Sequence, residues 1–259
     1  MILTTIIPTF NEILNIEPCL ESVAALPGEV LVIDESNDGT GELAEKLGAR
    51  VIRDDFAHKI SAVRNCALEN ALGDYVFFLD ADERVTPKLA LEIQNFLERG
   101  EHFACSMRRH NVAFGRRVRF GPLYPDWVIR LFPTQAVTWE GNVHERPIFK
   151  LPVKKLKGPL IHHTYCDFAS YLKKQGRYAE LWAEEARQKG KTATPWKAVN
   201  HAFLSFLKMF FFKLGFLGGP VTWSLCWYYS SGYTLGKYLL LADPKKEPEA
   251  LKEGFIQKE

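Results

Sequence analysis

The 259 residues are 47% hydrophobic and 25% charged, an ordinary globular balance with room for one large domain or one domain plus an appendage. The formal charge of +2 conceals a split: residues 1–100 hold 18 acidic and 8 basic side chains, while 150–220 hold 13 basic and 4 acidic, which turns the later part toward an anionic surface. Five widely spaced cysteines with no C-x-x-C pair argue against a disulfide framework and read as reduced cytosolic thiols.

The opening MILTTIIPTFNE has no basic leader and no small-residue cleavage site, so it reads as a first strand rather than a signal peptide. That strand covers Leu3 to Ile7 and is expected to stop at Pro8. Asn11 is placed to cap a helix from about Ile13, with Ile16, Leu20 and Val23 on one face. Val30 to Ile33 is a second buried strand ending in Asp34, followed by the polar turn Glu35 to Thr40 and a helix to Leu47. Ala49 to Ile52 is a third strand, and His58 to Leu72 a helix with Val63, Ala67 and Ala71 inward. Tyr75 to Leu79 is a fourth, continuously apolar strand, and Pro87 to Leu97 a helix with Pro87 in its first turn. This alternation predicts an α/β fold with a doubly wound, mostly parallel sheet. Residues 103–150 have weaker periodicity, with short strands expected near 103–108, 128–132 and 147–151. A helix follows from Asp167 to Lys189, and from Trp196 onward the chain is strongly apolar and aromatic.

The fourth strand runs straight into Asp80-Ala81-Asp82-Glu83. Acidic groups at the carboxyl edge of a parallel sheet lie where open α/β sheets bind ligands. Two carboxylates this close repel unless a cation sits between them. A hard divalent ion that bridges carboxylate and phosphate oxygens suits that position.

Together, Ile7 to Glu12, Asp34 to Thr40, Lys59, Arg64, Asn65 and the Asp80 to Glu83 run resemble the nucleotide-sugar half of family 2 glycosyltransferases. The resemblance implies the GT-A fold over residues 1–165, with a nucleotide-sugar half at 1–100 and an acceptor half at 101–165, and a helical segment over 166–259. It implies that Pro8, Thr9, Asn11, Glu12 and Asp34 surround the base and ribose of a UDP-sugar. Asp80 and Ala81 would hold the ribose side, and Lys59 and Arg64 the diphosphate. Asp82 would be catalytic through a divalent metal, Mn²⁺ or Mg²⁺, completed by His162 in preference to His163; imidazole favours Mn²⁺. Inverting transfer also needs a base within reach of the acceptor hydroxyl. Glu145 is the first choice, with Glu140 and Asp126 as alternatives.

Tyr124 to Trp127, Arg130-Leu131-Phe132 and Gly141 to Glu145 resemble a narrower group that adds glucose to a heptose of the lipopolysaccharide inner core. A polyprenyl phosphate or other glycolipid acceptor is the alternative, and a sugar nucleotidyltransferase the rival from another class. Arg108, Arg109, Arg116, Arg117 and Arg119 form an acid-free basic cluster suited to acceptor phosphates or carboxylates. Nucleic acid is disfavoured by the acidic first 100 residues and the lack of a binding motif. Phe203 to Leu217 and residues 220–242 are expected to lie in the membrane interface, placing the enzyme on the cytoplasmic face of a bacterial inner membrane.

Overall fold

The computed structural model of the protein describes residues 1–53, 60–141 and 146–243. The chain divides into two compact units, Met1–Val112 with Pro125–Thr164, and Ala113–Tyr124 with the residues from Tyr165 onward.

The first unit begins β1 (Leu3–Thr9), α1 (Ile16–Val23), β2 (Glu29–Asp34), α2 (Thr40–Lys46), β3 (Arg50–Arg53), α3 (Ile60–Asn70) and β4 (Tyr75–Phe78). These four strands are parallel in the order β3-β2-β1-β4. The order reverses beside β1, which opens a crevice at the strands' carboxyl ends. Side chains alternate between two cores. Leu3, Ile7, Val32, Tyr75, Phe77 and Leu79 pack with α1 and α4 on one face. Ile6, Leu31, Ile33, Val76 and Phe78 pack with Val63 and Ala67 of α3 on the other. Both faces are buried, so the strands read as unbroken apolar runs.

The chain continues through β5 (Glu83–Val85), α4 (Pro87–Glu98), β6 (Ala104–Ala113), β7 (Arg116–Arg117), β8 (Trp127–Pro133), β9 (Thr138–Glu140), β10 (Arg146–Ile148), β11 (Val153–Lys155) and β12 (Leu160–Tyr165). β8 inserts antiparallel between β4 and β6, and β12 joins β6 to β5. α4 starts as expected, with Pro87 in its first turn and the Thr86 hydroxyl accepting from Leu89 N–H at 3.3 Å.

Several expectations need correction. β1 runs past Pro8 and pairs Thr9 with Asp34, because a parallel ladder uses only alternate N–H groups on each side of the strand. Asn11 does not cap α1; Asn15 stands at that position, and Asn11 has a left-handed φ of 57° that Asn tolerates. β5, β9, β11 and β12 were not expected as strands, being short or mixed in polarity. Gly28 is required where it is: at φ 98°, an added Cβ would lie 2.0 Å from the Leu3 carbonyl oxygen.

The second unit is mainly helical, with α5 (Phe168–Gln188), α6 (Pro195–Leu207), α7 (Gly219–Tyr228) and α8 (Leu235–Ala242). Asp167 caps α5 by accepting from Ser170 N–H at 2.8 Å, and Thr194 caps α6 by accepting from Lys197 N–H at 3.2 Å. One-turn π segments follow α6 at Lys208–Phe212 and α7 at Tyr229–Thr234. Among the described residues no single helix is long and apolar enough to cross a membrane; the pair Pro195–Phe212 and Gly215–Ala242, bent by 66°, has that length and composition together.

Candidate active site

The loops after β1 and β2 are laced together by the polar turn that the sequence supplies between β2 and α2. Asn11 N–H donates to the Ser36 hydroxyl at 2.8 Å, Glu12 N–H to the Thr40 hydroxyl at 3.0 Å, and Ile13 N–H to Asp38 at 3.2 Å. Asn37 N–H returns a bond to Asn11 Oδ1 at 3.0 Å. Asp34 closes the second strand, accepting from the Thr9 hydroxyl at 2.7 Å and from Ser36 N–H at 3.2 Å, the latter an Asx turn. Thr9 and Asp34 are thus bonded to each other, and Asn11 and Glu12 are held beside them by Ser36, Asn37 and Thr40. Pro8 lies within β1, and the Ala81 methyl packs into the core. Lys59 lies outside the described residues.

Asp80, just past the end of β4, is bonded by two arginines. Arg64 Nη2 and Arg130 Nη1 each donate to its Oδ1 at 3.3 Å, and Arg130 Nη2 also bonds Oδ2. Arg64 is not a solvated helix residue: it is buried, with its guanidinium 4.1 Å from the Trp139 ring centre. Glu83 is wholly buried. It accepts from Asp80 N–H at 3.0 Å, from Arg130 at 2.9 Å and from Arg109 at 3.4 Å, so it ties the acidic loop back on itself. Burial opposes ionisation of Asp80, but the charges of Arg130 and then Arg64 outweigh it and hold the carboxyl well below the usual range. At Glu83 burial, joined by the charge of Asp80, raises the pKa against the pull of Arg130 and Arg109. A cavity of about 360 Å³ adjoins this network, lined among others by Arg64, Asp80, Arg109, Arg130 and Trp139. Among the described residues, the buried Trp139 Nε1 has no hydrogen-bond partner.

The second carboxylate, Asp82, faces His162 across the β5–β12 pairing, with Oδ2 3.3 Å from Nε2. His162 Nδ1 is 2.6 Å from Asn111 Oδ1, and Asn111 Nδ2 donates to Asp126 Oδ2 at 3.0 Å. A carboxylate only accepts, so Asp126 orients the Asn111 amide, and Asn111 then requires the proton on His162 Nδ1. Nε2 and Asp82 are left as two acceptors that attract only with a cation between them, either a proton or a metal ion. Among the described residues no three His, Cys, Asp or Glu side chains gather as a metal cage. Asp82 and His162 offer one oxygen and one nitrogen, which fits a divalent ion whose other ligands come from a phosphate-bearing substrate and water.

The base candidates differ in setting. Glu145 lies outside the described residues. Asp126 is engaged by Arg109 Nε at 2.8 Å as well as by Asn111. Glu140 is exposed at the end of β9. The arginine cluster is not a single patch: Arg109 is committed to Asp126 and Glu83, while Arg116, Arg117 and Arg119 are exposed in the second unit. Asn111 and Trp139 carried no signal in the sequence, and Glu83 was visible only as the last carboxylate of the acidic run. Arg130 was visible only within a short motif, with no partner to give it a role.

Known proteins bear on this geometry. An uncharacterized glycosyltransferase of Rickettsia typhi is 26% identical over 233 residues, covering 84% of this chain and 79% of that protein. A TPR repeat-containing protein of Synechococcus elongatus is 34% identical over 99 residues, 38% of this chain, which spans only 25% of that protein's length. Among solved structures, residues 1–349 of S. aureus TarS in complex with UDP superpose with a TM-score of 0.50 at 17% identity, over 92% of this chain and 89% of that one, a likeness of fold. Residues 4–174 match the family described as Glycosyl transferase family 2, and the chain belongs to that family.

Proposed function

We propose that this glycosyltransferase moves a hexose, glucose from UDP-glucose, onto a heptose of the lipopolysaccharide inner core with inversion, at the cytoplasmic face of a bacterial inner membrane. The observation that carries the donor half is the division of labour within Asp80-Ala81-Asp82 at the crevice. Asp80 is held ionised by Arg130 and Arg64, while Asp82 faces His162 at 3.3 Å, with no ion pair to Lys or Arg among the described residues. Thr9, Asn11 and Asp34 would take the uridine end, consistent with the UDP present in the TarS structure. A divalent ion held by Asp82 and His162 would neutralise the diphosphate leaving group.

The chain's own residues would do the rest. Arg64, stacked on Trp139, would fix the diphosphate side of the cavity. The unpartnered Trp139 N–H would be free to bond a substrate oxygen. Glu145 would take the proton of the attacking hydroxyl. The acceptor half of the reading rests on the resemblance of the Tyr124 to Trp127 and Gly141 to Glu145 motifs. The location rests on the aromatic surface of the second unit. A glycolipid such as a polyprenyl phosphate is the alternative acceptor.

A thermal-unfolding panel tests the donor. Purified protein is heated with UDP-glucose, UDP-galactose, UDP-N-acetylglucosamine, GDP-mannose and ADP-glucose, each with and without Mn²⁺. UDP-glucose with Mn²⁺ should protect most, since a ligand at a hundred times its Kd stabilises by about 2.7 kcal/mol. Protection by GDP- or ADP-sugars alone would overturn the donor assignment.

A further inference from the structure

A second cavity, of about 550 Å³, lies within the second unit, lined by Arg116, Arg117, Val118 and Gly218 to Thr222. Both arginines are exposed, and Arg116 makes no ion pair among the described residues. No acid is near in sequence. Residues 113–124 contain Arg116, Arg117 and Arg119, and 190–242 contain five lysines, with no Asp or Glu in either stretch. Two guanidinium forks on the lining of one concavity draw anions to it and match phosphate oxygens.

The rim argues for what carries the phosphate. Phe216, Leu217 and Trp223, on either side of the Gly218–Thr222 wall, are exposed, and Trp223 Nε1–H is spent on the Phe216 carbonyl at 3.0 Å. The apolar surface continues through ring contacts of Phe216 with Phe210 and Phe211, of Phe210 with Phe206, and of Phe206 with Trp227. Phe212 is 84% exposed, which in water no packing compensates. A soluble anion would leave this surface wet, whereas a bilayer covers it and carries phosphates in its headgroups.

We propose that Arg116 and Arg117 hold the phosphate of an anionic phospholipid in this cavity while the surrounding aromatic side chains enter the acyl boundary. The site rests on the membrane location proposed above and is independent of the sugar transferred. It reassigns these two arginines from the acceptor to the bilayer that carries it.

The test is partition of the full-length protein into phosphatidylcholine vesicles with and without phosphatidylglycerol. Arg116→Ala/Arg117→Ala should bind phosphatidylglycerol vesicles about thirtyfold more weakly, at ~1 kcal/mol for each basic side chain near an anionic surface. Lys173→Ala/Arg177→Ala removes the same charge from exposed positions of α5 and should cost roughly threefold or less. Pro220→Glu keeps both arginines but places a carboxylate at the cavity lip, in a helix first turn that tolerates acid, and should reproduce the loss. Unchanged thermal protection by UDP-sugar in every variant verifies folding. Equal loss in the two double variants, or undiminished binding of the arginine variant, would overturn the phosphate site. A wild type that ignores both vesicle types would overturn the membrane location with it, whereas loss of UDP-sugar protection alone would strike only the proposed reaction.

Discussion

His162 Nδ1 lies 2.6 Å from Asn111 Oδ1, and that contact fixes which imidazole nitrogen is presented to Asp82. The chain Asp126–Asn111–His162–Asp82 runs from just before β8 through β6 and β12 to the acidic loop, so the ring is oriented from the side away from Asp82. Outer partners of this kind typically change metal affinity by ten- to a hundredfold. Asn111→Leu should therefore weaken Mn²⁺ binding in the presence of UDP by about that factor, while metal-free UDP binding stays the same. Calorimetric titration of Mn²⁺ checks this, and an unaltered affinity would remove His162 from the metal site.

Arg130, itself buried, bridges the fully buried Glu83 and the partly exposed Asp80, and removing it strands their charges. Arg130→Met should destabilise the protein by about 3–5 kcal/mol at pH 7. Its pH dependence has a definite sign. Asp80 is depressed in the folded state, so its contribution is present above the ordinary carboxylate pKa near 3.9 and is lost as pH falls below that range. Without Arg130 both Asp80 and Glu83 would bind protons more readily in the folded chain. The stability gap between wild type and variant should then narrow from pH 7 to pH 4 by about 1 kcal/mol or more. Urea unfolding at the two pH values measures it; a constant gap would mean that Arg130 acts by packing alone.

Gly41 is the closest approach to Asp34. A Cβ there would sit 2.3 Å from Asp34 Oδ2, and since Gly41 lies inside α2, alanine is otherwise the better helix former. Gly41→Ala should displace the Asp34 carboxylate and weaken UDP binding as much as Asp34→Ala does. Retained binding in both variants, read by fluorescence or calorimetry, would take Asp34 out of the donor site.

Glu145→Gln should keep nucleotide-sugar protection yet lose transfer by roughly two to four powers of ten, the usual worth of a general base. Transfer assays of Glu145→Gln, Glu140→Gln and Asp126→Asn side by side identify the base. Normal transfer by the first and failure of Glu140→Gln would move the role to Glu140. Asp126→Asn carries a distinct signature, since it also frees the Asn111 amide and should lower Mn²⁺ affinity.

The sequence alone determined the alternation of strands and helices through β4 and the place of the acidic loop at the sheet's carboxyl edge. Those features rest on local signals: apolar runs buried on both faces, a 3.6-residue period in α1, and Thr86-Pro87 opening α4. The family was legible for the same reason, since its motifs are contiguous at strand ends. The tertiary structure decided what each motif residue touches. Asp80 meets Arg130 from 50 residues away, Glu83 meets Arg130 from 47, and His162 meets Asn111 from 51. These partners are set by the insertion of β8 beside β4 and of β12 beside β6, a strand order that no local period encodes. Charge in a sequence shows how many ions a segment carries; only the fold decides which of them, like Arg109, are neutralised in pairs and which, like Arg116, stay exposed to meet something else.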